Sequence, residues 1–496
     1  MSRPCFSRRK FVEVAGALAG GSLLSQTFGC GQPTASHPKE AAGPADYTLT
    51  IAVQAVELAP NRIVSTTTYN GQFPGPLLRF KEGQRVTIDI NNQTDTPEQL
   101  HWHGQFLSTD LDGAAEEGTP FIPPHGSRRI TFVPKPSGYR FYHTHVRAGA
   151  NLNAGQYTGL VGPVYIEPKN NLGRYDREVF LTLKEFEPTL SRGGDMAMDF
   201  LSPAATVKGL KEIGENAMNA SLAKGAAHGF EVGYGSFTIN GRMLGSGEPI
   251  RVKQGERVLF HILNGSATEI RSMALPGHTF TVVAMDGNPI PRPVTVPGLW
   301  LGTAERVSAI VDMNHPGIWI MGDTANDDRQ HGMGIVVEYA GQKGKPQWVA
   351  PKPFLWSYPQ FGNTGTAIPE PDQVIEMTFA KQNAAEGGFN RWTINDVAFA
   401  EDTMHPMFRV KQGKRYRLRM HNASDDIHPV HLHRHSFELT RVAGQATSGV
   451  VKDVVMVGGY QEMEIDFVAD NPGLTLFHCH QQLHMDFGFM ALFEYV

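Results

Sequence analysis

One stretch of this chain occurs three times. The run KEGQRVTIDINN, Lys81 to Asn92, returns as KQGERVLFHILN, Lys253 to Asn264, and again as KQGKRYRLRMHN, Lys411 to Asn422. Each copy is a glycine turn feeding an alternating strand that ends at an asparagine. Alternation with period two sends successive side chains to opposite faces and marks a half-buried strand. A second element also recurs: GYRFYHTH at 138–145, GIWIMGDT at 317–324 and GLTLFHCH at 473–480. Repeats of this kind are the signature of one structural unit used several times. A chain of 496 residues is in any case too long for one core. With 53 glycines and 33 prolines, it suits many short strands joined by turns. The expectation is an all-β protein of three homologous β-sandwich domains, about 47–168, 174–341 and 350–496.

The repeat makes the histidines countable. His101 and His103 follow Asn92 by nine and eleven residues, and His431 and His433 follow Asn422 by the same steps. The same offsets from Asn264 reach Met273 and Leu275. In the second element His143 and His145 match His478 and His480, while the middle copy has Gly322 and Thr324. The first and third domains thus carry four histidines each at equivalent places, and the second carries none. Histidines kept only for structure would not vanish from one copy alone. The simplest arrangement has domains one and three facing each other, with the middle domain as spacer.

Each histidine pair is His-x-His on a strand, so both rings leave the same face. Eight imidazoles exceed the capacity of one metal ion; three metals with two, three and three nitrogens is the natural partition. Imidazole suits zinc, copper, iron or nickel. Cys479 narrows the choice. It lies between His478 and His480 on a strand, so its thiol faces away from both rings. With His428 and His484 it makes a His₂Cys set, the donor set of a blue-copper electron-transfer site. A structural zinc site would need a fourth protein ligand, and none is evident.

In these motifs the chain resembles a three-domain multicopper oxidase of the laccase type. The matching segments are His101-Trp102-His103-Gly104, Tyr142-His143-Thr144-His145, His428-Pro429-Val430-His431-Leu432-His433, and His478-Cys479-His480 through His484. The resemblance covers nearly the whole chain after the leader, and it implies cupredoxin-like Greek-key sandwiches and four copper ions. It assigns a type 1 copper to His428, Cys479 and His484, and a type 2 copper to His101 and His431. The type 3 pair falls to His103, His143, His145, His433, His478 and His480. It also implies the reaction: single electrons enter at the type 1 site, cross from Cys479 through His478 and His480, and reduce dioxygen to water.

Several further residues take expected roles from the same likeness. Phe489 occupies the axial slot ten residues after Cys479, with Met490 beside it as the alternative; a phenylalanine there favours Cu(I) and a high potential. Asp112 matches a carboxylate near the type 2 copper and reads as a proton relay; the competing reading is an ordinary Asp-Gly turn. The family's second acid has no clear counterpart, since Gln481, Gln482 and Met485 stand there and Asp486 is shifted. Arg434 replaces a common glycine, and either lines the cluster's entrance or reaches solvent. His435 touches a ligand rather than a metal, and His278 is structural. His228, His261, His315, His331 and His405 lack ligand spacing. The insertion from Ser191 to Gly229 carries Met196, Met198 and Met218, which read as packing before they read as Cu(I) ligands.

Residues 1–30 read as a targeting segment. Ser7-Arg8-Arg9-Lys10-Phe11 precedes an apolar run from Val12 to Leu24, as in a twin-arginine signal. Cys30 sits in an imperfect lipobox, which offers a lipid anchor as an alternative to release; 31–46 is a polar linker. The expected location is periplasmic or extracytoplasmic. Only Cys5 and Cys30 accompany Cys479, and a lone thiol in an oxidising compartment calls for something to hold it. The net charge of −5 has no basic excess to engage nucleic acid. The expected partners are dioxygen and a small reducing substrate, phenols or aromatic amines; oligomeric state is not legible. The competing readings are metal-ion oxidation in copper tolerance and a copper-free scaffold, the latter opposed by the complete ligand set. A copper nitrite reductase would need a different domain order.

Overall fold

In the computed structural model the three repeated turn glycines, Gly83, Gly255 and Gly413, have φ of 80°, 81° and 79°. That left-handed conformation is cheap only for glycine, which explains its place in each copy. The asparagine at the end of each copy is equally functional in the fold. The Nδ2 group of Asn92 donates to the Thr96 and Ile122 carbonyls, that of Asn264 to Glu269 and Leu301, and that of Asn422 to Asp426 and Val457. All three asparagines are buried. Each pins the loop after its strand, and in the outer domains that loop leads into the histidine strands.

The structure describes residues 43–169, 172–191, 229–363, 365, 367–400 and 405–496. The leader with Cys5 and Cys30, most of the linker, and Met196, Met198, Met218 and His228 lie outside the described residues. Among the described residues, no helix is long and apolar enough to cross a membrane.

The described chain is nearly all β and forms three cupredoxin-like sandwiches, each of two sheets. In the first, Tyr47–Ala59 lies between its hairpin partner Arg62–Tyr69 and the parallel strand Val86–Asn92. The other domains repeat this with Arg177–Ser191 beside Arg257–Asn264 and Gln373–Glu386 beside Arg415–Asn422, again parallel. The opposing sheets carry the site. In domain one His101–His103 is the edge strand against Gly138–His143; in domain three His428–Leu432 lies against Thr475–Cys479. Burial alternates along Arg415–Asn422, as its polar and apolar residues predict, whereas the histidine strands are buried at every position.

The middle domain departs from the count by one register. Met273 stands opposite Asp323, not Gly322. The slot that holds a histidine in the outer domains therefore holds a buried aspartate, tied to Ser272 Oγ at 3.2 Å. Three larger packing groups fill the interior, and one of them draws Tyr139, Phe141, Leu263 and Val454 from all three domains. The domains thus share apolar core across their boundaries.

Candidate metal centre

Cross-strand pairing sets the histidines first. His101 lies opposite His143, and His431 opposite His478. The two ladders then meet face to face. His101 stacks on His433 with ring centres 4.1 Å apart, and His103 on His431 at 3.8 Å. His143 lies 5.0 Å from His480, and His145 lies 5.2 Å from His478. Exchanging the equivalent residues of domains one and three converts each pair into its mate, so the centre has pseudo-two-fold symmetry. Nitrogens of His103, His143 and His480 lie within 4.8 Å of one another, as do those of His145, His433 and His478. His101, His103 and His431 form a third such group.

The orientation of each ring decides what the centre can hold. The Nδ1 of His143 donates to the Thr144 carbonyl at 2.7 Å, of His431 to the Asp453 carbonyl at 2.6 Å, and of His478 to the Cys479 carbonyl at 2.8 Å. His433 Nδ1 donates to Asp112 Oδ2 at 2.9 Å, and His101 Nδ1 to the Asp112 carbonyl at 2.9 Å. A neutral imidazole carries one proton, so Nε2 of each of these rings carries a lone pair. Burial pushes His103, His143, His431, His433, His478 and His480 well below the usual imidazole range, and neighbouring rings push them further. Nε2 of His101, His143 and His431 is buried without a hydrogen-bond partner. The Nε2 atoms of His433 and His478 face each other at 3.0 Å. Buried lone pairs that converge in this way repel one another unless a cation lies among them. The donor set therefore fits metal ions, and an all-imidazole set fits copper.

His428, Cys479 and His484 converge separately. Cys479 Sγ is 3.4 Å from His484 Nδ1, which is 3.0 Å from His428 Nδ1. Burial pushes the Cys479 thiol up and His484 down to about 4. A coordinated metal reverses the first effect, because it holds the thiolate. Trp392 stacks on His484 at 4.1 Å, and the Phe489 ring lies 4.6 Å from that of His428. Met490 lies opposite His478 and packs with Leu476 and Met485, on the face away from the thiol.

The domain-one counterpart of this thiolate site is instructive. Counting three residues before His101 and one after His143 gives Glu98 and Thr144, where domain three has His428 and Cys479. Thr144 Oγ1 donates to Glu98 Oε2 at 3.1 Å. A buried hydrogen bond thus stands where the other half of the centre gathers a thiol and imidazoles.

Other expected residues fall out as follows. Both nitrogens of His435 are taken, by the His433 carbonyl and Tyr495 Oη, and those of His278 by the Pro276 carbonyl and Tyr339 Oη. Arg434 neither lines an entrance nor reaches solvent. It is buried at φ 60°, a left-handed conformation that favours glycine, and it donates to the carbonyls of Leu107, Asn471, Pro472 and Leu474. Asp486 spends its carboxylate on the Ala148 and Gly149 amides and on Gln482.

Sequence reasoning missed three carboxylates at the centre. Glu116 Oε2 is 3.6 Å from His145 Nδ1, and Glu117 Oε1 is 3.6 Å from His433 Nδ1 and accepts the Leu476 amide at 2.6 Å. Burial, with Asp112 beside it, pushes the Glu117 carboxyl well up. Asp453 Oδ1 is 3.1 Å from His103 Nε2. The acidic pair three residues after Gly113 was a local signal; Asp453 had none.

Three family models described as multicopper oxidase match residues 51–171, 212–340 and 369–496. The multicopper oxidase MmcO of Mycobacterium tuberculosis is 30% identical over 99% of this chain and 97% of its own. A copper resistance protein A homolog of Pseudomonas syringae pv. tomato is 27% identical over 70% of this chain and 61% of its own. The laccase structure from Botrytis aclada superposes with a TM-score of 0.71 at 20% identity, covering 90% of this chain and 87% of that one. The chain belongs to the multicopper oxidase family, oxidoreductases that use copper ions, dioxygen and a reducing substrate.

Proposed function

We propose that this chain is a laccase-type oxidase that couples the one-electron oxidation of phenols or aromatic amines to the four-electron reduction of dioxygen to water. The observation that carries the reading is the linkage of two donor groups through one tripeptide. His428, Cys479 and His484 would hold a type 1 copper. His101 and His431 would hold the type 2 ion, and His103, His143, His480 with His145, His433, His478 the type 3 pair. When bound, these ions accept single electrons and reduce dioxygen. The protein connects the two groups twice over. The Cys479 backbone leads covalently to His478 and His480, and the bond from His478 Nδ1 to the Cys479 carbonyl is a shortcut of 2.8 Å. Asp112 would serve as a proton relay, since Oδ2 accepts from His433 while the buried Oδ1 has no protein partner. Glu117, whose carboxyl burial and the neighbouring Asp112 push up toward its protonated form, would supply a proton beside it, filling the place left by Met485. In the same reading the leader exports the protein across the cytoplasmic membrane.

The copper-resistance relatives favour a second reading, oxidation of Cu(I). Copper analysis and an absorption spectrum test the shared part: about four ions per chain and a blue thiolate band are expected. A chain that stays colourless after copper loading refutes an oxidase. Turnover with a phenol against turnover with Cu(I) then decides between the substrates; oxidation of Cu(I) alone overturns the laccase reading.

A further inference from the structure

We propose that Arg306, in the middle domain, is a positioning residue of the metal centre, acting through Asp453 on His103 and His431. This rests on the reading of those two histidines as copper ligands. Arg306 grips Asp453 with two parallel bonds, Nη1 to Oδ1 at 2.6 Å and Nη2 to Oδ2 at 2.7 Å. Such a fork fixes the plane of the carboxylate as well as its place. The guanidinium is itself anchored, donating from Nη1 to the Ala304 carbonyl at 2.9 Å and from Nε to the Tyr139 carbonyl at 3.3 Å. Asp453 then takes one ligand from each outer domain. Its Oδ1 accepts from His103 Nε2 at 3.1 Å, and its carbonyl accepts from His431 Nδ1 at 2.6 Å.

This contact sets the tautomer of one ring. A carboxylate held by two arginines only accepts, so His103 Nε2 carries the proton and Nδ1 carries the lone pair. His103 Nδ1 is buried without a partner, whereas the free lone pair on the rings of His101, His143 and His431 is on Nε2. Asp453 thus selects the inverted orientation of His103, and Arg306 holds Asp453 to the task.

The surroundings fit a built clamp. Arg140, from the strand that bears His143, gives Asp453 Oδ2 a third bond at 2.9 Å. Lys452 reaches Asp286 and Glu305 at 2.9 Å each. Arg140, Arg306 and Lys452 against Asp286, Glu305 and Asp453 make three charges of each sign, all buried. Three of the six belong to the middle domain, so removal of any one leaves a buried charge uncompensated. Gly104, directly after His103, has φ of 75°, and a Cβ there would collide with Asp453 Oδ2 and sit 3.0 Å from Arg306 Nη2. The glycine of the His-Trp-His-Gly motif leaves room for this clamp. The Arg306 guanidinium also lies 5.5 Å from the centre of the Phe141 ring, which stacks on His103 at 4.3 Å.

The test compares copper-loaded wild type with Arg306→Gln, Arg306→Lys and Asp453→Asn in the full chain. Copper per chain is measured after dialysis against a chelator, and the type 1, type 2 and type 3 signals are followed by absorption and electron paramagnetic resonance. The expected result is selective. Arg306→Gln and Asp453→Asn hold the trinuclear copper about 10–100-fold more weakly while the blue type 1 band persists. Arg306→Lys, which keeps the charge but not the fork, falls between. If Arg306→Gln does not fold, the lysine variant decides alone, by the same selective loss. Trinuclear copper and spectra equal to wild type in the folded variants overturn the proposal. Parallel loss of both copper signals also overturns it, since a residue that only holds the fold would act on both. A wild-type chain that binds no copper refutes the ligand reading instead.

Discussion

Asp112 Oδ2 accepts His433 Nδ1 at 2.9 Å, a bond between the first and third domains across 321 residues of sequence. The same oxygen lies 3.0 Å from His101 Nδ1. One carboxylate therefore stands against a ligand candidate from each half of the centre, the place from which the proposed relay would act. Asp112→Asn keeps the size but loses the charge and half the accepting capacity. The expected outcome is oxygen consumption lowered roughly 10²-fold, with anaerobic bleaching of the blue band by substrate unchanged. Stopped-flow mixing of reduced enzyme with oxygen locates the loss. Wild-type reoxidation in the variant removes Asp112 from proton transfer.

The Phe489 ring lies 4.6 Å from that of His428, on the side where the axial slot is expected, and the strand register turns Met490 to the opposite face. A side chain that donates nothing leaves Cu(II) less stabilised and raises the potential. Phe489→Met should lower the type 1 potential by about 59 mV or more, the equivalent of a tenfold change in preference for one electron. Redox titration of the blue band measures it. A potential that does not fall shows that residue 489 is not axial.

Gln482 joins the segment that bears His484 to domain one. Its Oε1 accepts the Gln156 amide at 2.9 Å, and its Nε2 donates to Asp486 Oδ1 at 2.8 Å. Gln482→Ala leaves a buried amide and a buried carboxylate oxygen unpaired, a cost of about 1–3 kcal/mol. Urea unfolding of the metal-free chain should show that loss. A midpoint within error of wild type would mean that water replaces both bonds.

The clustered histidines were legible because domain repetition turns spacing into evidence: His101 and His431 share an offset that Met273 shares without the chemistry. Strand alternation then gave the opposite faces of Cys479 and its neighbours. The count also contained more than the histidines alone, since the same offsets lead to Glu98 and Thr144. What spacing could not reveal is the clamp. Arg306 and Asp453 are 147 residues apart, lie on different domains, and belong to no periodic pattern. Their meeting depends on how three sandwiches dock, as does the approach of Glu117 to Leu476. The one-register slip at Asp323 was hidden for a related reason, since pairing across strands is set by the partner and not by the strand itself.

Glu98 offers a pH test of the domain-one counterpart site. Burial raises its carboxyl from an ordinary 4.5 to about 7, against the lowering effect of the Thr144 hydroxyl. The native state therefore favours the protonated acid. Its contribution to stability is complete below about pH 4.5 and is lost as pH rises through about 7, where the folded chain must carry a buried charge. Glu98→Gln imitates the protonated form and can still accept the Thr144 hydroxyl. In the metal-free chain the variant should match wild type near pH 4.5 and exceed it above pH 7, by at most about 3 kcal/mol. The buried imidazoles act in the opposite sense, their contribution being lost as pH falls below about 6.5. They do so in both chains alike, so the difference between the chains isolates Glu98. Urea midpoints at intervals between pH 4.5 and 8 measure it, and a constant difference across that range would show that Glu98 does not titrate there.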